Sequence, residues 1–510
     1  MLSYLGMTDD ALPLRLGAPE QFQTVRELLQ RAEFTEPAIC KRLGIAAFTK
    51  FGTERQIAPE MVTAFDCLVR LFLNCVAVKR DRVLQVLGSG EVDALEDLGL
   101  LVADAGTLVS PVGLAPTRGL WLVSDKGGEL GTLAGDVVYP AILENTQEFL
   151  SIIPDSPCNA FLDLGAGTGV AALMAARGFA RHAWASDITP RAAHFAEFNR
   201  RLNGLENATS LEGDLYEPVQ GMQFDRIVTH PPYVPVANPT CVFRDGGDDG
   251  EQIVRRIVQG LPQHLAPGGR FYALTLVSDR EGSPAESRVR SWLGDVHEEF
   301  DVAIVADTAR EPFDFIGRAM QKGTHYPQEL QYWSTLFRRL SVKYLVYGCI
   351  VVQRHETKRE PFTLRLQKGR SSTPVETEWA LRWNTAAGVV GTEQLLASRL
   401  RVSPELNLAV LHRVREGSLV PEEFLLRVNY PFDAECRCPR WCAGLVAACD
   451  GSRTAAETLD VLKTNGVVAS GTDATEFADV IRVLLGSGFL ESEALPALPR
   501  SSTESHPERE

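Results

Sequence analysis

Apolar residues recur at helical spacing through PEQFQTVRELLQRA (19–32) and PEMVTAFDCLVRLFLNC (59–75), so the chain opens with helices. The run VDALEDLGLLVADAGTLVSPVGLAP (92–116) reads as a helix, a break at Gly99, a short strand, a turn at Asp104–Gly106 and a second strand. A helix followed by a small hairpin is the outline of a winged helix; a plain helical cap with one hairpin fits as well. Beyond residue 131 the pattern changes. Apolar runs of strand length occur at AFLDLG (160–165), HAWASD (182–187), NATSLEGD (207–214), DRIVTH (225–230), RFYALTLVSD (270–279) and KYLVYGCIVVQRH (343–355), with helical runs between them. Strands alternating with helices predict a parallel sheet with crossover helices. After Asp187, Thr189 can cap a helix with Pro190 in its first turn. Phe195, Phe198 and Leu202 share one face of it, and Asn203–Gly204 ends it. From about 357 the chain opens with basic, strand-like TLRLQKGRS and closes with two helices, a turn, a further helix and a terminal strand, again winged-helix-like. The polar tail PALPRSSTESHPERE reads as disordered.

The expected organisation is therefore a helical or winged-helix-like domain over 1–130, an α/β domain over 131–356, a small α+β module over 357–492 and a disordered tail over 493–510. A length of 510 residues agrees with roughly three domains. With 45% hydrophobic and 23% charged residues, wholly disordered, collagen-like and coiled-coil architectures are excluded. No uncharged apolar run reaches the ~18–20 residues of a membrane helix. The first residues, MLSYLGMTDDALPLRL, lack a basic segment followed by an apolar one, so the expected compartment is the cytoplasm, with no membrane partner. A net charge of −15 argues against a generic nucleic-acid coat but leaves room for a local basic groove. Of ten cysteines only Cys436, Cys438, Cys442 and Cys449 cluster. Their spacing is no standard zinc pair, and small buried residues explain them at least as well, so no metal is expected.

The strongest chemical signal is Asp163-Leu-Gly165-Ala-Gly167-Thr-Gly169, a strand entering a glycine-rich turn and then a helix. Dinucleotide folds use G-x-G-x-x-G/A, whereas here the third glycine comes one residue early and Val170 holds the expected place. Asp163 suits an amino-acid ammonium and would repel a pyrophosphate. Asp187, ending the second strand, can accept from both ribose hydroxyls of a nucleoside. Asp214, after the third strand, can accept from an adenine amine. The fourth strand runs into His230-Pro231-Pro232-Tyr233. Two prolines fix the backbone there and leave the carbonyls of His230 and Pro231 without a following amide donor. Those carbonyls can accept from a planar NH2 group, and Tyr233 can stack on it. Catalysis at such a site rests on positioning and electrostatics.

In order, DLGAGTG, SDITPRA, GDLYEP, HPPYVP, RDGGDDG (244–250) and LAPGGRFY (265–272) resemble the class I S-adenosylmethionine-dependent methyltransferases. They are most similar to the release-factor-type protein glutamine N-methyltransferases and their small-domain relatives that methylate guanine amines. The resemblance covers roughly 131–355. It implies a Rossmann-like core, S-adenosylmethionine as cofactor, and Asp163, Gly165, Gly167 and Gly169 at its methionine part. Asp187 would hold the ribose, Asp214 the adenine side, and residues 230–233 the acceptor nitrogen. The family usually has Asn, Asp or Ser where this chain has His230. A neutral imidazole offers one donor and one acceptor in a different geometry. It can accept from the target N–H, take the released proton, or simply be tolerated while the main-chain carbonyls do the work. The loop 243–250 is expected to be mobile, and Asp136, Tyr139, Pro140 and Asn145 would close over the cofactor.

Three functions follow from these residues: methylation of a protein amide nitrogen, most simply glutamine; methylation of a base amine in RNA or DNA, favoured by winged-helix-like flanks; or a non-catalytic cofactor-binding adaptor, suggested only by His230.

Overall fold

The computed structural model describes residues 13–51, 62–126, 135–322, 327–370 and 372–499. Two compact units result, residues 1–302 with 309–359 and residues 303–308 with 360–510. The last eleven residues of the expected tail lie outside the described residues, as do 59–61 of the second expected helix.

The first unit opens with helices Pro19–Arg31, Glu36–Leu43 and Ala64–Leu68, the last continuing as a wider turn over Val69–Leu73. Strand Val78–Lys79, helices Arg80–Leu87 and Ser89–Asp97, and the hairpin Val102–Asp104/Thr107–Val109 follow. Thr107–Val109 lies between the other two strands, antiparallel to both. A second hairpin, Gly113–Thr117/Leu120–Ser124, was not legible in the sequence. Its turn puts Arg118 and Gly119 at positive φ, which suits a two-residue hairpin turn.

The central sheet is built from β1 (Cys158–Leu164), β2 (Ala180–Asp187), β3 (Ala208–Glu212), β4 (Phe224–Thr229), β5 (Leu265–Arg280), β6 (Phe300–Arg310) and β7 (Val342–Arg354). Its helices are α1 (Glu144–Ser151), α2 (Val170–Gly178), α3 (Pro190–Asn203), α4 (Gln252–His264), α5 (Ala285–Trp292), α6 (Pro312–Lys322) and α7 (Pro327–Arg339). The strand order is β3-β2-β1-β4-β5-β7, and of β6 only the two ends belong to this unit. Strands β1 to β5 pair in parallel, and β7 is antiparallel to β5 over Arg270↔Gln353 to Ser278↔Leu345. This is a Rossmann-like mixed α/β sheet. The six expected strands are all present. The sequence reading missed β6 and the helix pair α6–α7 between β6 and β7.

The N-terminal helices do not pack by themselves. Phe22, Val25, Leu28 and Leu29 join Phe195, Phe198 and Leu202 of α3 in one apolar cluster. Phe22 meets Phe198 edge to face at 5.1 Å. Asn199, fully buried on α3, accepts from the Val123 N–H at 2.7 Å and donates to the carbonyls of Val123 and Thr168, both at 3.0 Å. The second hairpin, the helix and the glycine-rich turn thus meet at one side chain.

The second unit contains β8 (Thr363–Lys368), β9 (Arg399–Val402), β10 (Asn407–Arg415), β11 (Ser418–Val428), β12 (Phe432–Cys438), β13 (Asp450–Thr454) and β14 (Leu490–Ser492). Strands β10, β11, β12 and β8 form an antiparallel run in that order, while β9 lies between β13 and β14. Helices Arg440–Ala448, Ala455–Thr464 and Ala474–Gly486 pack over a core that includes Leu400, Leu445, Leu459 and Ile481. The ribbon β10–β11 was not anticipated. Pro496, within the expected tail, is held by the Trp379 indole N–H at 3.1 Å. Among the described residues no helix is long and apolar enough to cross a membrane.

Candidate active site at the carboxyl edge of the parallel sheet

Parallel strands send all their following loops to one edge, where open α/β sheets bind ligands. The ends of four such strands and the loops after them carry Asp163, Gly165, Gly167, Gly169, Asp187, Asp214 and His230–Tyr233.

After β1, Gly165, Gly167 and Gly169 adopt φ of 70°, 54° and 78°, the left-handed region that glycine enters freely. The N–H groups of Gly165 and Ala166 both donate to the Ser186 carbonyl, at 2.8 and 3.1 Å, and fasten the turn to β2. A Cβ at Gly165 or Gly167 would meet no protein atom within 4 Å, so this side of the turn is open. A Cβ at Gly169 would lie 3.1 Å from the Ala196 Cβ. Gly169 therefore serves the close approach of α2 to α3, a packing role distinct from the cradle. Asp163 is buried beneath the turn. Burial pushes its carboxyl up to about 7, the Ala172 N–H in the first turn of α2 opposes this, and the charge of Asp187 adds to it.

At the end of β2, Asp187 accepts from the Gly167 N–H at 2.9 Å and from the Thr189 N–H and hydroxyl at 3.1 and 3.2 Å. Burial raises its carboxyl and these donors hold it back. One carboxylate thus fixes the turn from the neighbouring strand and keeps lone pairs for a further donor. Asp214, after β3, is partly exposed and takes the Arg256 guanidinium at 2.7 Å.

After β4, the Thr229 hydroxyl donates to the Leu164 carbonyl at 2.8 Å, locking the start of the His230–Tyr233 turn to the start of the glycine-rich one. The His230 ring stacks on Phe149 of α1, centroids 5.6 Å apart, and lies 6.0 Å from the Tyr233 ring. Its Nε2 is buried and finds no hydrogen-bond partner among the described residues. Burial pushes the imidazole down to about 4, so it is neutral at ordinary pH. Tyr233 stands 6.0 Å from Tyr347 of β7, whose hydroxyl donates to Glu148 of α1 at 3.1 Å. Burial raises the Tyr233 phenol, and Glu148 raises it further.

The loop expected to be mobile is instead tied along its length. Val234 donates to the Arg244 carbonyl at 3.0 Å, Gly246 to Val234 at 2.9 Å, and Val236 to Gly247 at 2.9 Å. Asp245 accepts from the N–H groups of Thr240 and Cys241. At its far end Glu251, buried, accepts from the Ser278 N–H and hydroxyl at 2.8 and 2.7 Å and from Arg280 at 3.1 Å, and pairs with Arg288 through both oxygens. Helix α7 adds the Trp333 indole N–H to the Pro235 carbonyl at 2.8 Å and the Tyr332 hydroxyl to the Asp248 carbonyl at 2.7 Å. Glu329 on α7 also pairs with Arg244 at 2.6 Å. The acceptor turn, this loop and α7 brace one another. Of the leading segment, Tyr139 packs edge to face on Phe243 at 4.8 Å, and Asn145 accepts from the Thr146 N–H at 2.9 Å.

Phe149, Glu148, Tyr347, Glu251 and Trp333 were missed by sequence reasoning. None belongs to a motif, and only the sheet order brings them to the turn. The cysteine group lies in the second unit, where all four thiols join one apolar cluster and burial pushes Cys442 and Cys449 up to about 12. Among the described residues no three His, Cys, Asp or Glu side chains come together as a metal site.

Residues 141–300 match the family described as the methyltransferase small domain. Over 141 residues the chain is 31% identical to a putative protein N5-glutamine methyltransferase of Methanocaldococcus jannaschii, covering 26% of this chain and 71% of that one. It is 33% identical over 159 residues to a release factor glutamine methyltransferase of Moorella thermoacetica, covering 28% and 53%. A ribosomal protein uL3 glutamine methyltransferase of Bradyrhizobium diazoefficiens is 38% identical over 121 residues, covering 21% and 38%. The chain thus spans only part of the length of these relatives.

Proposed function

Because the chain belongs to the class I S-adenosylmethionine-dependent methyltransferases, in the methyltransferase small domain family, we propose that it methylates the side-chain amide nitrogen of a glutamine in a protein. The residues present fit the cofactor: the cradle at Gly165 and Gly167 is open on one side, with two carboxylates beneath and beside it. When bound, S-adenosylmethionine supplies an electrophilic methyl group on a sulfonium. Asp163 and the glycine-rich turn would hold its amino-acid part, Asp187 its ribose and Asp214 its adenine side.

The observation that carries the reading is the His230–Tyr233 turn, locked one strand away from that cradle by the 2.8 Å bond of Thr229 to Leu164. An amide nitrogen is a poor nucleophile, so the chain must place it rather than activate it strongly. The carbonyls of His230 and Pro231, each followed by proline, accept its N–H groups. Tyr233 stacks on the amide plane. The buried, unpartnered Nε2 of His230, with the ring proton on Nδ1, takes one of these two N–H groups in place of a carbonyl. Leaving the imidazole without that partner costs free energy that the substrate repays on binding.

We further read residues 1–130 as winged-helix-like, on the strand and helix order around Val78–Val109, and 357–492 as a small α+β module of the same kind, in which the first strand, β9, and not the last is central. The first of these flanks does not favour a nucleic-acid acceptor. Helix Ser89–Asp97, which precedes the wing, carries Glu91, Asp93, Glu96 and Asp97 and no Lys or Arg, so it would repel a phosphate backbone.

The test is transfer of labelled methyl from S-adenosylmethionine to a lysate of cells lacking the gene. Label lost to protease and stable to ribonuclease is expected. Label lost to ribonuclease transfers the reading to a base amine, and label in the small-molecule fraction overturns both. Binding of cofactor with no transfer at all would leave the adaptor.

A further inference from the structure

The ribbon β10–β11 carries a surface that methyl transfer leaves unused. Strand β10 ends the strand order, so one of its sides pairs with β11 and the other is unpaired among the described residues. Leu411 and Val414 on β10 and Leu419 on β11 are 61%, 69% and 71% exposed. Natural edges are usually blunted by bulges, prolines or lysines on the outer strand. Here the bulge and the proline are on the inner one. Leu411 pairs with Glu423 and His412 with Pro421, so Glu422 is the bulged residue and β10 stays regular. Glu422 also binds Arg413 at 2.8 Å and Arg415 at 3.4 Å, which neutralises the two cations of the edge.

We infer that β10 pairs antiparallel with β10 of a second copy, about a two-fold axis through Leu411. The sequence of the strand is self-complementary in that register. Asn407 faces Arg415, Leu408 faces Val414, Ala409 faces Arg413, Val410 faces His412 and Leu411 faces its own copy. All nine residues are used, apolar side chains meet apolar ones at Leu408–Val414, and no arginine faces another. A shift of one residue either way sets Leu408 opposite Arg413 or Arg415, so the central register is favoured. Two-fold pairing is isologous and closes, giving a dimer instead of a fibre.

The experiment measures the mass of the full chain by sedimentation across a wide concentration range. A dimer that dissociates on dilution is expected. Leu411→Lys brings two ammonium groups together at the axis and should give a single-chain mass with an unchanged far-ultraviolet spectrum. Leu411→Cys should form a disulfide-linked dimer in a glutathione redox buffer, where the unaltered chain does not. A single-chain mass at every concentration overturns the inference and leaves the edge to a strand of another protein. A dimer undiminished in Leu411→Lys and not cross-linked in Leu411→Cys overturns it equally, by placing the interface elsewhere.

Discussion

Replacing His230 by Asn tests the acceptor turn through protons rather than turnover. In the unfolded chain this imidazole titrates at its ordinary 6.5, while burial in the fold pushes it down to about 4. Between those values the unfolded state binds a proton that the folded state refuses, so folding is penalised as the pH falls. The native contribution is intact above 6.5 and is lost progressively as the pH drops toward 4. Linkage from these two values gives a loss of about 2 kcal/mol by roughly pH 5 and about 3 kcal/mol once both forms are protonated. His230→Asn has no such proton. Denaturant unfolding of both chains at neutral pH and near pH 5 should therefore show the native chain losing about 2 kcal/mol more than the variant. The difference between the two chains cancels every other titrating group. Parallel losses would refute the reasoning, because they would mean the ring titrates in the fold as it does in the unfolded chain and is not held neutral by burial.

Three further outcomes are expected. Asp187→Ala removes the acceptor of the Gly167 N–H and should weaken cofactor binding by ~1–3 kcal/mol, read by calorimetry. Tyr233→Ala should leave cofactor affinity within error and lower turnover of labelled methyl; equal loss of both would deny a separate acceptor site. Glu251→Gln leaves Arg288 buried beside a neutral partner and should cost roughly 3–5 kcal/mol of stability in denaturant unfolding, since the charge there is uncompensated.

The parts of the fold legible in the sequence were those where local and global signals agree. Strands β1 to β5 and β7 are apolar runs bounded by turn residues. Helix α3 carries its own cap at Thr189 and its own stop at Gly204, which takes φ of 64°. The glycine-rich turn and the prolines after β4 state their backbone needs outright. What failed lacked such boundaries. Strand β6 opens with the buried run Phe300–Ala306, but the charged residues Glu298, Glu299 and Asp301 at its start mask that run, and the Gly294 turn stands six residues ahead of it. The ribbon β10–β11 has apolar residues that face no core, so its alternation does not mark an inside. Acidic, glycine-rich composition suggested mobility at 243–250, but composition cannot show that Val234 pairs with this segment or that Glu251 anchors its end. Gly169 matched the motif, yet its tolerance is set by Ala196 on another helix.

The bonds of Asn199 carry a consequence for anyone trimming this chain. A chain begun at residue 131 would still contain every motif of the family, but Phe195, Phe198 and Leu202 would face water. The Thr168 carbonyl would keep its bond, while the other two arms of Asn199 would lose their partner at Val123. Such a fragment would be sticky and its glycine-rich turn poorly held, so a failed cofactor titration on it would say nothing about the whole protein.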